Sequence, residues 1–358
     1  MDVQSWVNRV DARLREIVAE QSALIANLGL DVQDFAGYAD TMLAGGKRFR
    51  ATFCALGYAT TSDELPDSLV SVASGLEIFH AAALAHDDIM DHSDTRRGVL
   101  SAHRRFEQTH RSQHWAGDSE NFGLSAALLF GDFLLALSDL LVARGLSDHS
   151  DAAASKAARA EFDRMRLDVT AGQFLDIVEE NAWPTVPAED ALGRAETVLT
   201  YKSAKYSIEA PLVVGAMLGG ANVRLIDSLR AFAIPLGNAF QLRDDLLGVF
   251  GDPAITGKPV GDDVREGKRT VLIALAMAAT DVTTRDRLNT VLGNELANDA
   301  EIEWVQSLCE SSGALSQVEA LIESEYARAL GALSAAELTG ESRESLTSLA
   351  RRVVTRDA

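Results

Sequence analysis

Cysteine is almost missing from this chain of 358 residues. The two that exist, Cys54 and Cys309, have no metal-ligand spacing and no CxxC pattern, which excludes a disulfide scaffold or a zinc module and points to a reducing, cytoplasmic setting. Proline is scarce at 7, so long helices can run with few interruptions. Positive charge is also in deficit: 33 Lys and Arg stand against 53 Asp and Glu, a formal net charge of -20. That deficit argues against nonspecific binding to nucleic acid or anionic membrane, both of which need a basic surface. A clean transmembrane run is missing too. The most membrane-like stretch, residues 124–146, contains Asp132 and Asp139, and charge is costly in lipid, so it reads as a buried core helix. Residues 1–19 carry Asp2, Arg9, Asp11, Arg13, Arg15 and Glu16, a charged amphipathic pattern without the apolar centre of a leader peptide. Neither a composition shift nor a long linker divides the chain, and a single domain over 1–358 is the expectation.

What the chain does have is helical periodicity from end to end. Alanine is abundant and β-branched alternation is rare, so the fold class reads as all-α. Apolar spacing predicts helices over roughly 3–27, 31–44, 48–60, 66–91, 100–110, 121–143, 151–179, 188–204, 206–219, 223–250, 270–280, 282–294, 299–311, 313–336 and 340–355. Such helices suit a bundle around a deep central cavity, where helical proteins place metal sites. Pro211 and Pro235 fall within or beside helical patterns and predict a break or kink. The polar residues 110–121 read as a surface excursion. Residues 251–268, punctuated by Gly251, Gly257, Gly261 and Gly267 with Pro253 and Pro259, read as a lid or as an ordinary mobile connector.

Two acidic clusters interrupt the apolar background. Asp87-Asp88-Ile89-Met90-Asp91 follows an alanine-rich run, and Asp244-Asp245-Leu246-Leu247-Gly248 follows the mostly apolar residues 231–242. Carboxylates beside a hydrophobic core are costly unless a cation meets them. Helical spacing puts Asp87 and Asp91 on one face with Asp88 next to them. Two such faces turned together would suit Mg2+, which takes oxygen ligands, keeps several waters, and is shared between one or two carboxylates and a substrate phosphate. In so acidic a chain some clustering arises by chance, and a lone Asp-Asp pair is usually a solvated surface or a helix start. Basic residues nevertheless trail each cluster, against the overall sign of the chain: Arg96-Arg97-Gly98 after the first, Lys258 and Lys268-Arg269 after the second. Arg forks bind phosphate oxygens bidentately and Lys acts as a point charge. The pattern suits a diphosphate gripped through metal.

These residues fall in a longer series. Gly45-Gly46-Lys47-Arg48-Phe49-Arg50 looks like a GGKRxR motif, and residues 80–98 look like H-x6-DDxxD followed by RRG. Gly172-Gln173-Phe174-Leu175-Asp176 looks like GQxxD, Lys202-Ser203 like a K-[ST] step, and Phe240-Gln241 with Asp244-Asp245 like FQxxDD. Through these motifs, from about residue 42 to 270, the chain resembles the trans-isoprenyl diphosphate synthases (polyprenyl synthetases), most of all the bacterial geranylgeranyl diphosphate synthases. The resemblance implies a single-domain isoprenoid-synthase bundle that condenses isopentenyl diphosphate with allylic diphosphates of C5 to C15. It implies three Mg2+ per active site, with Asp87, Asp88, Asp91, Asp244 and Asp245 as metal ligands. Arg96, Lys202 and Lys258 would touch the allylic diphosphate. Gly46, Lys47, Arg50, His80 and Arg97 would hold isopentenyl diphosphate, while Gln173, Ser203 and Gln241 line the site. Lys202, Gln241 and Arg96 are the residues expected to act in catalysis, Gln241 near the developing cation. A homodimer is implied as well.

The match has departures. Gly248 stands where a third acid is expected, and Asp252, one turn further on, is a substitute if the helix continues. Ser203 replaces a commoner threonine but keeps the hydroxyl, and Leu100-Ser101 stands where a Pro-Thr pair is frequent. In this family the turn before the first cluster limits product length. Ala82 and Ala83 leave room there, each isoprene unit adding roughly one helical turn, ~5 Å. Phe79, Phe122 and Phe130 are candidate floors. The expected product is geranylgeranyl diphosphate, with farnesyl and geranylfarnesyl diphosphate as alternatives. A terpene cyclase of the same fold group would need an N-D-x-x-S-x-x-x-E motif, which is absent. A noncatalytic partner subunit of a prenyl synthase would have lost carboxylates from the first cluster, and an acidic metal buffer would not need Lys47, Arg50, Arg96 and Arg97.

Overall fold

Trp6, Val10, Leu14, Ile17 and Val18 recur every three to four residues, and all five are buried along one face of a helix, α1 (Val3–Ile25). Asp2 starts that helix by accepting hydrogen bonds from the Gln4 and Ser5 amides at 3.0 and 3.2 Å. The computed structural model describes residues 1–96, 98–251 and 260–355. Among these residues the regular structure is helical apart from one two-stranded hairpin. Their contacts gather into two compact units, Met1–Arg159 with Val214–Ala221, and Ala160–Val213 with Asn222–Ala358.

The first unit holds α1, α2 (Leu30–Leu43), α3 (Phe49–Tyr58), α4 (Asp67–Met90), strands β1 (Thr95–Arg96) and β2 (Val99–Leu100), α5 (Ala102–Ser112) and α6 (Ser119–Asp148). Helices α4 and α6 run in close contact. The Ser138 hydroxyl donates to the Gly75 carbonyl at 2.7 Å, and a Cβ at Gly75 would lie 2.4 Å from Val142 Cγ2. By length and composition both helices could cross a membrane; 78% of the apolar window of α4 is buried inside the fold, but only 44% of that of α6, so the buried core helix expected over 124–146 is buried on one side only. An aromatic core of Phe35, Tyr38, Phe106 and Phe130 fills the space nearby, with ring centroids 5.1 to 5.8 Å apart. The surface excursion expected over 110–121 is shorter than its polar letters suggest. His110 is buried in α5, its ring 6.0 Å from Trp115 and 5.2 Å from Phe122, so that only residues 113–118 lie between helices.

The second unit holds most of α7 (Ala152–Ala182), then α8 (Ala191–Val198), a π-helical stretch (Leu199–Glu209), the start of α9 (Ala210–Leu218), and α10 (Val223–Phe250). After residues outside the description come α11 (Asp262–Glu266), α12 (Val271–Ala278), α13 (Val282–Val291), α14 (Asp299–Ser311), α15 (Ala314–Ala335) and α16 (Gly340–Thr355). One expectation holds and one changes. Helix α10 runs over 223–250 with Pro235 inside it, without a break. The break expected before Pro211 is instead a widened helix, in which the Ala210 amide bonds the Lys205 carbonyl. Pro211 has no N–H to continue the wide ladder, so that register ends where the proline begins and α9 takes over. Arg230 on α10 joins this unit internally, donating to Glu161 at 2.6 and 3.0 Å and also to Glu209. Both carboxylates are buried, so losing the arginine would leave uncompensated charge.

Candidate active site

The first acidic cluster closes α4. Asp91 is the residue just past Met90, yet its amide still bonds the Asp87 carbonyl at 2.8 Å, which keeps it in helical register. Asp88 is 0% exposed, while Asp87 and Asp91 are half-buried. A carboxylate so placed needs a cation, and Arg96 supplies one. Its Nε lies 2.8 Å from Asp88 Oδ1, and Nη2 bonds the same oxygen. Arg96 is aimed by the hairpin, in which Thr95 pairs with Leu100 and Arg96 with Val99. The turn passes through Gly98 at φ 77°, and the Tyr38 hydroxyl anchors the far strand by donating to the Leu100 carbonyl at 3.2 Å. Arg97 lies outside the described residues.

Upstream, the glycine motif is a loop between α2 and α3. Gly45 and Gly46 take φ of 69° and 91°, in the left-handed region that favours glycine. Lys47 is exposed and Arg50 half-buried, whereas Arg48 between them is turned inward and buried. Its Nε lies 2.8 Å from Asp11 Oδ1. His80 is half-buried on α4, two turns before Asp87. Phe79 and Ala82 are buried beside it, and Ala83 is half-buried. Phe130 belongs to the aromatic core and Phe122 to the knot around His110, so packing accounts for both rings.

In the second unit, α7 and the π-helix touch backbone to backbone. A Cβ at Gly172 would sit 2.4 Å from the Lys202 nitrogen and 2.6 Å from the Tyr201 carbonyl carbon. That closeness brings Lys202 Nζ to 2.5 Å from Asp176 Oδ2. Lys268 joins the same carboxylate at 3.3 Å and reaches Glu180 at 2.7 Å. Ser203 is buried next to Lys202. Gln173 Nε2 is buried and has no hydrogen-bond partner among the described residues, a donor held ready for an acceptor. On α10, Gln241 Nε2 donates to Asp245 Oδ1 at 2.8 Å. Asp245 is buried, and burial is the chief cause of its carboxyl being pushed up to about 7. The Gln241 hydrogen bond and Lys202 oppose that rise, while Asp244 and Asp176 add to it. Lys258 lies outside the described residues.

Gly248 has a reason that its sequence position does not reveal. A Cβ there would lie 1.9 Å from Asp263 Oδ2 and 2.2 Å from Asp263 Cγ. The acid missing from the helix is matched by one arriving through space from α11. Asp252 does not meet the condition set for it, because α10 ends at Phe250 and Gly251 is extended at ψ 141°; Asp252 itself is outside the description. Asp263 was detectable only as part of the Gly261-Asp262-Asp263 run, and nothing local ties that run to Gly248. Asp176 closes the GQxxD motif, but its partnership with Lys202 and Lys268 depends on the fold. The donor set suits magnesium: oxygen ligands only, with Asp88 and Asp245 buried where a carboxylate needs a positive partner. Among the described residues no three His, Cys, Asp or Glu side chains form a complete protein cage, and Mg2+ shared with phosphate does not require one.

Known proteins resemble this chain in sequence and in fold. Residues 33–309 match the family model described as Polyprenyl synthetase. A short chain isoprenyl diphosphate synthase of Methanocaldococcus jannaschii is 32% identical over 262 residues, 73% of this chain and 72% of the relative. A geranylfarnesyl diphosphate synthase of Aeropyrum pernix is 30% identical over 319 residues, 87% of this chain and 91% of its own. The crystal structure of a geranylgeranyl pyrophosphate synthase from Corynebacterium glutamicum, complexed with isoprenyl diphosphate and magnesium, has a TM-score of 0.92 at 37% identity, covering 99% of this chain and 100% of that one.

Proposed function

The chain belongs to the polyprenyl synthetase family and is an all-α trans-prenyltransferase, and from that premise we propose that it condenses isopentenyl diphosphate with allylic diphosphates of C5 to C15 to give geranylgeranyl diphosphate and pyrophosphate. The observation that carries this reading is a set of stored ion pairs. Asp88 is held by Arg96, and Asp176 by Lys202 and Lys268. The first pair contains one group that a metal would take and one that a diphosphate would take, so binding both ligands would exchange partners without leaving a buried charge bare, and in the second Lys268 stays on Asp176 when Lys202 turns to the diphosphate. Asp87, Asp88, Asp91, Asp244 and Asp245 would hold Mg2+, with Asp263 beside Gly248 as a further oxygen donor. When bound, the metal neutralises the departing diphosphate, where negative charge develops.

The remaining steps need only binding, orientation and dryness. Arg96, Lys202 and Lys258 would bind the allylic diphosphate oxygens; Gly46, Lys47, Arg50, His80 and Arg97 would hold isopentenyl diphosphate. The allylic C1–O bond breaks and its electron pair leaves with pyrophosphate. The alkene of isopentenyl diphosphate forms the new bond to C1, and a proton is lost from the adduct to pyrophosphate as base, so no nucleophilic side chain is required. Gln241 and Gln173 would orient the reacting groups, and excluding water keeps the cation from being quenched to an alcohol. Ala82 and Ala83 support a tail longer than fifteen carbons. The family match runs through residues of both compact units, which supports one catalytic domain, and we infer a cytoplasmic homodimer on the strength of the family.

The test is incubation of purified protein with Mg2+, radiolabelled isopentenyl diphosphate and each of the C5, C10 and C15 primers, followed by chromatography of the dephosphorylated products. A C20 alcohol is expected. A shorter or longer ladder would correct the product length to farnesyl or geranylfarnesyl diphosphate. No incorporation from folded protein would overturn the reading in favour of a noncatalytic subunit.

A further inference from the structure

Arg48 takes φ 49°, a left-handed conformation that a residue with a Cβ seldom adopts. Such a residue persists only where its surroundings over-determine it, and here they do. Nε donates to Asp11 Oδ1 on α1 at 2.8 Å, Nη2 donates to the Leu43 carbonyl at the end of α2, and Nη1 lies 3.8 Å from Glu77 Oε2 on α4. The Arg48 carbonyl accepts from the Thr52 amide at 2.9 Å and its hydroxyl at 2.8 Å. Glu77 also accepts from the Ala51 amide at 2.9 Å, which ties the first turn of α3 into the same knot. One planar fork therefore joins three helices, while the neighbouring Lys47 stays exposed.

We propose that Arg48, held by Asp11 and Glu77, is a positioning residue that fixes the segment 45–50, the loop and the start of α3, for the homoallylic diphosphate, and that α1 contributes to substrate binding through Asp11. The family match begins at residue 33, so Asp11 lies before it. The proposal rests on Lys47 and Arg50 being the groups that hold isopentenyl diphosphate. Lysine at 48 would keep the charge but, as a point donor, lose the fork. Glycine would relax the backbone and remove the clamp, which separates local conformation from tethering.

Steady-state kinetics of the full chain with Mg2+ would be measured for Arg48→Gly, Arg48→Lys, Asp11→Asn and Asp11→Glu, varying each substrate separately, alongside thermal unfolding. Misplacing a binding group by about 1 Å costs up to roughly 100-fold. The KM for isopentenyl diphosphate should therefore rise about 10- to 100-fold in the first three variants. The KM for the allylic substrate should change little, and Asp11→Glu should restore much of the loss. Asp11 is partly exposed, so Asp11→Asn remains informative if the Arg48 variants fold poorly. An unchanged KM in Arg48→Gly and Asp11→Asn, or a rise for both substrates in step with lost thermal stability, would overturn the positioning role. Lys47→Ala and Arg50→Ala serve as controls. If these leave the KM for isopentenyl diphosphate unchanged, the assignment of the loop itself is wrong; if they raise it while the Arg48 and Asp11 variants do not, the clamp alone is wrong.

Discussion

Changing Gly172 to alanine would put a Cβ 2.4 Å from the Lys202 nitrogen and 2.6 Å from the Tyr201 carbonyl carbon, where ordinary contact begins near 3.4 Å. The obstacles are backbone atoms, so α7 and the π-helix must separate by about 1 Å. Overpacking of this kind costs about 1–3 kcal/mol, and alanine returns ~1 kcal/mol as the better helix former. The net loss is then about 0–2 kcal/mol, a fall in Tm of no more than roughly 8 °C. Function should suffer far more. Lys202 would be carried away from Asp176, and a catalytic group misplaced by about 1 Å can lose ~100-fold. The expected outcome is kcat/KM for the allylic substrate reduced by about two orders of magnitude in a protein that still melts cooperatively. Gly193→Ala is the matched control: it is also helical, but no atom lies within 4 Å of its Cβ position, so its kinetics should be unchanged. Wild-type kinetics in Gly172→Ala, or a loss no larger than that of Gly193→Ala, would refute the reasoning.

Asp87→Ala and Asp244→Ala should each reduce turnover by orders of magnitude with the circular dichroism melt nearly unchanged; near-normal rates in either would remove that residue from the metal set. Ala83→Phe should shorten the product, because Ala83 is half-buried, whereas Ala82→Phe should chiefly lower Tm because Ala82 is fully buried. Product chromatography with thermal melts separates the two, and an unchanged product in Ala83→Phe places the floor elsewhere. Burial pushes the Cys309 thiol up to about 12 and raises Cys54 as well. Both should resist alkylation at pH 8 until denaturant is added, and rapid labelling of the native protein would contradict their burial. An unfolded thiol ionises near ~8.5, so stability present below that pH should decline as pH rises from about 9 towards 12. A flat stability profile over that window would argue against it.

Much of the helical layout could be read from the letters. The stripe predicted over 223–250 is α10 to the residue, because apolar spacing and a polar Asn222 cap mark its start locally. The motifs likewise picked out Asp88, Lys202 and Gln241, which the fold joins to Arg96, Asp176 and Asp245. What could not be read was set by distant parts of the chain. Arg48 and Arg50 are similar letters two positions apart, yet one faces Asp11 and Glu77 in the core. The wide register of residues 199–209 depends on packing as well as on Pro211, and the spacing suggested two helices in its place. His110 looked like loop because its neighbours are polar, while its aromatic partners lie five and twelve residues further on.

The contact between Gly248 and Asp263 also changes how the second acidic motif is read. An acid placed at 248 would have to push the Asp263 carboxylate aside, and trimming Asp263 would leave one carboxylate fewer beside α10. Along the helix alone Gly248 looks like a damaged motif; through space, a carboxylate already lies against the position its side chain would fill.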